Sequence, residues 1–136
     1  MKSRTILALF ASAALSGCVL GYGRCLFLDP VRVSLTGTLH WRTYEVDGAA
    51  ERVAVLHADG SQYVYAPAES RLCQMASDFQ LTGWSDYPPN LTDGARVSVA
   101  GSLLQATSAH QHTRFLVKLR RIDLLPGLRP PAPAKP

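Results

Sequence analysis

The chain has 136 residues, of which 47% are hydrophobic, 8% aromatic and 18% charged. This length allows one globular domain and excludes a two-domain enzyme, and the composition is typical of a packed core rather than a disordered chain. The formal net charge of +4 includes two basic residues within 1–17; without them, 12 basic and 10 acidic residues leave +2, too little to indicate nucleic-acid binding.

The first 17 residues are predicted to be a signal peptide. A short basic start precedes an apolar run over 5–14, which is too short to cross the roughly 30 Å core of a bilayer as a helix. Leu-Ser-Gly-Cys at 15–18 resembles the lipobox of bacterial lipoproteins, whose cysteine is acylated and becomes the mature N-terminus. The resemblance implies that Cys18 is a lipid anchor to the membrane; an ordinary signal peptide with an incidental cysteine is the alternative.

The lipobox also implies a location. Val19, rather than an aspartate, follows the cysteine, which in the usual Gram-negative sorting pattern implies the outer membrane, with the domain facing the periplasm. Residues 18–24 are then a tether. In this oxidising compartment Cys25 and Cys73 are expected to form a disulfide across 48 residues, which would stabilise the fold by about 4 kcal/mol. Two buried free thiols or two metal ligands are the alternatives.

Strands are predicted wherever apolar and polar residues alternate. A period of two over 31–42 predicts a long, half-buried strand, and Asp47-Gly48 predicts a turn. The run at 52–57 is followed by Asp59-Gly60, the strongest hairpin signal in the chain, so 62–65 is the predicted returning strand.

The second half of the chain is less regular at first. Residues 68–76 fit two turns of helix with Leu72, Met75 and Ala76 inward, whereas Phe79 and Leu81 alternate as in a short strand. A loop is predicted over 84–94. Strands are predicted at 96–105 and 113–122, and the tail at 126–136, with five of the nine prolines, is expected to be extended and solvated.

A sequence pattern that occurs twice in the chain indicates the fold. The pattern V-S-x-x-G-x-L occurs at 33–39 and again at 97–103, and a glycine inside a strand marks a bulge or a sharp bend. Two bent strands among five predict an all-β domain over 25–125. We expect a small five-stranded OB-like barrel with a short helix or loop between its third and fourth strands, and a β-sandwich is the alternative.

Residues 25–122 resemble the bacterial family known as domain of unknown function 4431. Its opening cysteine, Glu-Pro pair and V-x-L-x-G-x-L block correspond to Cys25, Asp29-Pro30 and 33–39, and its second cysteine to Cys73, which supports the disulfide. Its closing block and Thr-Gly-His-His-His-Thr-like turn correspond to 94–113. The chain departs from that block at four positions, Leu104, Ser108, Ala109 and Gln111. The resemblance implies no known activity.

His110 and His112 are the candidate metal ligands. Residues at i and i+2 on a strand face the same way, and neutral imidazoles at that spacing can bind copper, nickel or zinc. A structural metal needs about four ligands, and the sequence identifies no third. The favoured interpretation is that these histidines and Thr113 hydrogen-bond the backbone of the connection between the last two strands, with no cofactor; a copper or zinc site is the alternative.

Two groups of surface residues are further candidates for binding. A basic patch on the last strand is interpreted as a solvated face or a site for phosphate or carboxylate groups of the envelope rather than for nucleic acid. Aromatic side chains can stack on a sugar or peptide, although Trp41 continues the apolar face of its strand and is expected in the core. The basic residues are Arg114, Lys118, Arg120 and Arg121, and the aromatic residues are Trp41, Tyr63, Tyr65 and Trp84.

The sequence contains no established catalytic motif. It has no G-x-S-x-G, no H-E-x-x-H and no phosphate-binding glycine loop, and the paired carboxylates Asp47 and Glu51 lie near turns. We therefore expect no enzyme. The predicted function is an envelope lipoprotein that is a binding module for a protein or an envelope polymer, and the alternative is a periplasmic metal-binding lipoprotein that uses His110 and His112.

Overall fold

The computed structural model describes residues 25–84, 87 and 91–127. The predicted signal peptide at 1–17, the anchor Cys18, the tether at 18–24 and residues 128–136 of the predicted tail lie outside the described residues. Within them every regular element is a β-strand, and none of them forms a helix long and apolar enough to cross a membrane.

Six strands make up one sheet. Burial alternates over much of Arg32–Val46, Arg96–Gln105 and Phe115–Leu124, as the period-two pattern of apolar residues predicts, and this places one face of the sheet toward a common core. The strands are β1 (Leu26–Phe27), β2 (Arg32–Val46), β3 (Ala49–Tyr65), β4 (Gln74–Thr82), β5 (Arg96–Gln105) and β6 (Phe115–Leu124).

The sheet closes into a five-stranded barrel. Around the barrel the strands follow the order β2, β3, β4, β6, β5 and back to β2, in which β4 and β6 are parallel and the other neighbours are antiparallel. The short strand β1 is added in parallel to the end of β3. The predicted OB-like barrel is therefore confirmed, and closure leaves its five principal strands paired on both sides.

Two Asp-Gly pairs behave differently. At Asp47-Gly48 both residues have positive φ, at 51° and 78°, and Val46 pairs with Ala49, so the chain reverses as predicted. The hairpin predicted at Asp59-Gly60 is wrong, because only the glycine there has positive φ and the pair lies inside β3, at a shift of register. The runs at 52–57 and 62–65 are one bent strand.

The third strand of the barrel is β4, which lies in the segment where the sequence indicated a helix at first and then a short strand. The helix considered for 68–76 is wrong: 66–73 is a connection, and 74–76 pair with 62–64 of β3. Leu72 and Met75, expected inward, are exposed, and Ala76 alone of the three packs against the core. A strand is favoured here because it pairs the backbone of the far end of β3.

The two glycines of the repeated V-S-x-x-G-x-L pattern lie where the backbones of paired strands approach closely. Gly37 pairs with both β3 and β5, and a Cβ there would collide with the carbonyl oxygen of His57. Gly101 lies at a register shift between β5 and β6, where a Cβ would collide with the carbonyl oxygen of Lys118. The predicted bulge at Gly101 is confirmed by this shift, whereas the pairing of β2 continues through Gly37 without a shift of register, so the close approach of the β3 backbone requires the glycine there.

The barrel interior is a single apolar core. Inward side chains from all five long strands are fully buried, among them Leu39, Leu56, Phe79, Val97 and Phe115. Connections also cover the core, because Leu91 is buried and Trp84 and Tyr87 pack against it. Trp41 packs there too, as predicted, with its indole N–H donating to the Leu91 carbonyl over 3.0 Å.

Candidate functional site

The connection between β5 and β6, residues 106–114, carries both candidate histidines and is called the histidine loop below. Gln80 of β4 binds this loop twice: its amide nitrogen donates to the His110 carbonyl over 3.0 Å, and its amide oxygen accepts from the His112 backbone N–H over 2.7 Å. In addition, the Gln80 backbone N–H donates to the Thr113 hydroxyl over 2.8 Å. The loop is therefore held against β4.

Gln80 belongs to a small buried cluster on the outside of the barrel. It pairs with Val55 on one side and Leu116 on the other, and because its chain neighbours Phe79 and Leu81 point into the core, these three point outward. Val55 and Leu116 are nevertheless fully buried, and Gln80 is 5% exposed. The histidine loop thus lies over an apolar part of the outer face. Gln80 is the polar side chain there that hydrogen-bonds the backbone groups of the loop.

Glu51 of β3 joins the two histidines. One oxygen of its carboxylate, Oε2, lies 3.2 Å from Nδ1 of His110 and 3.1 Å from Nε2 of His112. With a proton on each of these nitrogens, both rings donate to the carboxylate. The His112 side chain is only 11% exposed and that of His110 is 62% exposed, so His112 is the structural member of the pair.

The hydrogen bonds make Glu51 a stronger acid. The bond from His112 contributes most to lowering the pKa of the Glu51 carboxyl below its usual value of 4.5; desolvation opposes this, and His110 adds to the lowering. Tyr44 completes the arrangement, because it is the register partner of Glu51 and its ring stacks on that of His112 at 3.9 Å and 6°. The loop is thereby fastened to the β2–β3 hairpin as well as to β4.

Gln111, which interrupts the histidine run, has a role inside the loop. Its side-chain oxygen accepts hydrogen bonds from the backbone N–H groups of Thr107 and Ser108, the second over 3.1 Å. It therefore closes the turn that precedes the histidines and does not extend toward Glu51.

His110, His112 and Glu51 are the donors that a metal at this loop would use. The two histidines are brought together as the sequence predicted, and Glu51 is a third group that it did not identify. Both ring nitrogens contact one and the same oxygen, and within the part of the chain that the structure describes no group of three His, Cys, Asp or Glu side chains is placed to hold a metal ion. The geometry favours hydrogen bonding over metal binding, but the partner differs from the predicted one. The histidine rings contact the Glu51 carboxylate and not the backbone, and of the three residues only Thr113 has a side chain that donates to backbone, to the Phe115 carbonyl over 2.7 Å.

Beside the histidine loop, the outer surface of β2, β3 and β4 carries charged side chains. Asp78 lies 2.7 Å from Nδ1 of His57 and 3.7 Å from a guanidinium nitrogen of Arg42, and all three are between 38% and 56% exposed. We call this surface, from Arg42, Tyr44 and Glu51 to His57 and Asp78, the polar face. It is bounded by the β2–β3 hairpin on one side and by the histidine loop on the other.

The predicted aromatic candidates separate into two groups. The Trp41 ring makes an edge-on contact with that of Tyr87, with the ring centroids 5.2 Å apart. The guanidinium carbon of Arg52 lies 4.5 Å from the Trp41 ring centroid, so Trp41 is a packing residue. Trp84 also packs there, whereas Tyr63 and Tyr65 lie on the outside of β3, beyond the bulge. Burial raises the pKa of the Tyr87 hydroxyl, consistent with its position among these side chains.

The predicted basic patch is exposed but partly neutralised. Arg114, Lys118, Arg120 and Arg121 all lie on the surface. Arg114 pairs with Glu69 at 3.4 Å and Arg121 with its neighbour Asp123 at 2.7 Å. Exposed pairs of this kind contribute little to stability, so the patch corresponds to the solvated strand face considered from the sequence.

Sequence reasoning missed Tyr44 and Gln80, and it named Glu51 only as a carboxylate near a turn, without a role at the histidines. The pairing of Tyr44 with Glu51 follows from the Asp47-Gly48 turn alone, because a two-residue turn fixes the register and places both side chains on one face. The contact of that pair with the histidine loop has no local signal, since it joins residues 61 positions apart.

The fold and its surfaces define the class of this protein as a small OB-like β-barrel. Comparison with protein-family models gives no match, and comparison with curated protein sequences gives none. The resemblance to the domain of unknown function 4431 family stays a prediction.

The cysteines are placed as the disulfide requires. The Cα atoms of Cys25 and Cys73 lie 6.1 Å apart, within the range of disulfide-bonded pairs. A bond between them ties the residue before β1 to the residue before β4.

Proposed function

We propose that this protein is a lipid-anchored envelope protein and that its barrel is a non-catalytic binding module for an envelope protein or polymer. The observation that supports it is the polar face between the β2–β3 hairpin and the histidine loop. In OB-like barrels, the corresponding strands and the two loops beside them form the ligand surface. This is an inference from fold and surface, because one fold hosts many functions.

The polar face has properties that suit binding. His57, Arg42 and Asp78 are partly exposed and lie next to one another, so they present hydrogen-bond donors and acceptors to a partner. Both flanking segments are fixed by Glu51 and Gln80. Donors, acceptors and one aromatic ring, that of Tyr44, are thus presented together.

The lipid anchor rests on the sequence around Cys18. Substitution Cys18→Ala tests it: the variant is expected either to remain unprocessed, with its signal peptide still attached, or to be released into the soluble periplasmic fraction, while the wild-type chain is processed and fractionates with membranes. A variant that stays membrane-bound and fully processed contradicts the anchor.

Site-specific photo-crosslinking in intact cells tests the binding module. A photoreactive amino acid at His57 is expected to give discrete crosslinked products, either of one protein or of a polymer that polymer-degrading enzymes shorten. The same amino acid at the exposed Lys118 is the matched control and is expected to give none. Equal products at both positions, or none at either, contradict the polar face as the binding surface.

In the same experiment, Asp78→Asn tests whether crosslinking depends on the charged groups of the polar face or only on the exposure of position 57. Because the photoreactive amino acid already replaces His57, the substitution removes only the charge that holds Arg42. We expect the crosslink from position 57 to weaken in this variant, and an unchanged crosslink to show that the pair of Arg42 and Asp78 plays no part in recognition.

A further inference from the structure

A group of apolar side chains lies uncovered on the outside of β1, β3 and β4. Tyr63 and Met75 are register partners across β3 and β4, and Phe27 and Tyr65 are register partners across β1 and β3. Because Val64 points into the core, Tyr63 and Tyr65 both point outward. These four residues share one surface, which we call the apolar platform.

The platform stands out from the rest of the surface. Six large hydrophobic side chains are exposed among the described residues, and Phe27, Tyr63 and Met75 of the platform are three of them. A fourth, Leu72, immediately precedes Cys73, whose Cα lies 6.1 Å from that of Cys25. The rings of Phe27 and Tyr65 are in edge-on contact at 5.8 Å. Such a concentration of exposed apolar groups marks an interaction surface.

The chain outside the structure indicates what covers the platform. Only residues 19–24 separate the proposed lipid anchor, Cys18, from Cys25, and the seven residue-to-residue steps from Cys18 to Cys25 reach at most about 25 Å when fully extended. A domain of this size is about 34 Å across. A barrel on so short a tether must therefore keep the side where the chain enters close to the bilayer, and Phe27 lies two residues after that entry point.

We infer that the apolar platform rests on the lipid surface, at the level of the headgroups. This inference depends on the anchor in the proposed function and adds the orientation of the barrel to it. Tyrosine suits this position because its ring is apolar and its hydroxyl remains in contact with water. On β3 the bulge between His57 and Gln62 separates the platform from the polar face, so the polar face stays accessible.

Tryptophan fluorescence in vesicles tests the inference. The acylated full-length protein is reconstituted into vesicles of phosphatidylethanolamine and phosphatidylglycerol, with or without bromine on the acyl chains near the headgroups. Met75→Trp is compared with Leu124→Trp, because the two positions are 62% and 53% exposed and β6 carries no platform residue. The parent protein supplies the baseline of Trp41 and Trp84.

We expect bromine to reduce the added fluorescence of Met75→Trp at least about twofold, since a surface seated 5–10 Å deep reaches the brominated segment, and to leave that of Leu124→Trp unchanged. Tyr63→Trp provides a second platform position if Met75→Trp does not fold. Equal, weak quenching at platform and control positions overturns the inference.

Flotation of the same vesicles separates the two proposals. If the wild-type protein does not float with the vesicles, the lipid anchor of the proposed function fails. If it floats and platform tryptophans remain unquenched, the platform inference alone fails. Protection of position 75 from aqueous quenchers in native envelopes, without quenching in pure lipid, assigns the platform to a protein partner and also overturns the inference.

Discussion

The two sides of the bulge in β3 carry contrasting surfaces. Before it, Glu51 and His57 belong to a polar face whose charged groups are bonded to one another and to the histidine loop. After it, Tyr63 and Tyr65 belong to an apolar platform that no described residue covers. The difference indicates that the groups of the first surface contribute to the stability of the barrel as well as to the binding proposed for it, whereas the second surface contributes little to stability.

The largest expected effect comes from the cysteine pair behind the platform. Replacing both cysteines, Cys25→Ser with Cys73→Ser, removes a crosslink across 48 residues and is expected to lower the free energy of unfolding by about 4 kcal/mol. Chemical denaturation of both proteins measures this.

Reduction of the wild-type protein is the control, because it should reproduce the loss without any substitution. Mass spectrometry of the native protein supplies the decisive comparison. Two thiols that alkylate without reductant contradict the disulfide and, with it, part of the family resemblance.

Loss of the Gln80 side-chain hydrogen bonds to the histidine loop is expected to have the next largest effect on the free energy of unfolding. Gln80→Met keeps the volume but leaves the His112 N–H and the His110 carbonyl without their partner, which should cost about 2 kcal/mol. Hydrogen exchange at the His112 amide should accelerate by more than the global loss of stability explains. Gln62→Met is the matched control, since that half-buried side chain makes only long contacts of 3.4 Å. Equal effects of the two substitutions contradict this role of Gln80.

A smaller loss is expected for the buried histidine. His112→Ala removes the hydrogen bond to Glu51 and the stack on Tyr44, for a cost of about 1 kcal/mol, whereas His110→Ala, at an exposed ring, should stay within about 0.5 kcal/mol. Thermal denaturation of the two variants measures the difference.

The same variants test the metal alternative. Because the rings are engaged with one carboxylate oxygen, added zinc or copper is expected to leave the Tm of the wild-type protein unchanged. A bound metal would instead add about 2.7 kcal/mol at a hundredfold excess over its Kd. A rise in Tm with metal that vanishes in the His110→Ala, His112→Ala double variant overturns the hydrogen-bonding interpretation.

The Glu51 contribution should depend on pH. Because the pKa of this carboxyl is lower in the folded chain than its usual 4.5, its stabilising effect is present above pH 4.5 and is lost as the pH falls through the folded-state value. The stability difference between wild type and Glu51→Gln should therefore shrink on acidification below pH 4.5. Glu45→Gln, on the same hairpin and exposed, is the matched control, and equal pH dependence of the two variants contradicts the assignment.

The smallest effect on stability is expected at the platform. Met75→Ser changes a side chain that is 62% exposed and should alter the free energy of unfolding by no more than about 0.5 kcal/mol. Denaturation of the unanchored and the vesicle-bound protein measures this. A loss comparable to that of Gln80→Met would show that the platform is covered by the chain itself and would remove the contrast between the two surfaces.

Local sequence was enough to predict most of the barrel. Alternation over 31–42, 96–105 and 113–122 identified three strands, because one face of each had to be apolar to pack on a common core. Gly37 and Gly101 indicated special backbone positions in two strands, since only glycine permits the carbonyl contacts found there. The histidine pair and the cysteine pair were likewise visible as spacings in the chain.

Only the tertiary structure distinguished Asp59-Gly60 from Asp47-Gly48. The dipeptides are identical, yet Asp47-Gly48 reverses the chain, whereas Asp59-Gly60 lies inside β3, where Asp59 accepts hydrogen bonds from Thr36 of the adjacent β2 and from Arg96 of β5, one strand further on. The chain therefore continues along the barrel to Tyr65, which creates the surface beyond the bulge. Glu51 was equally hidden: its partners lie about 60 residues away, and only closure of the barrel brings a hairpin carboxylate to the histidine loop. Hydrogen bonds between distant residues leave no periodicity in the sequence, so this part of the site was decided by packing alone.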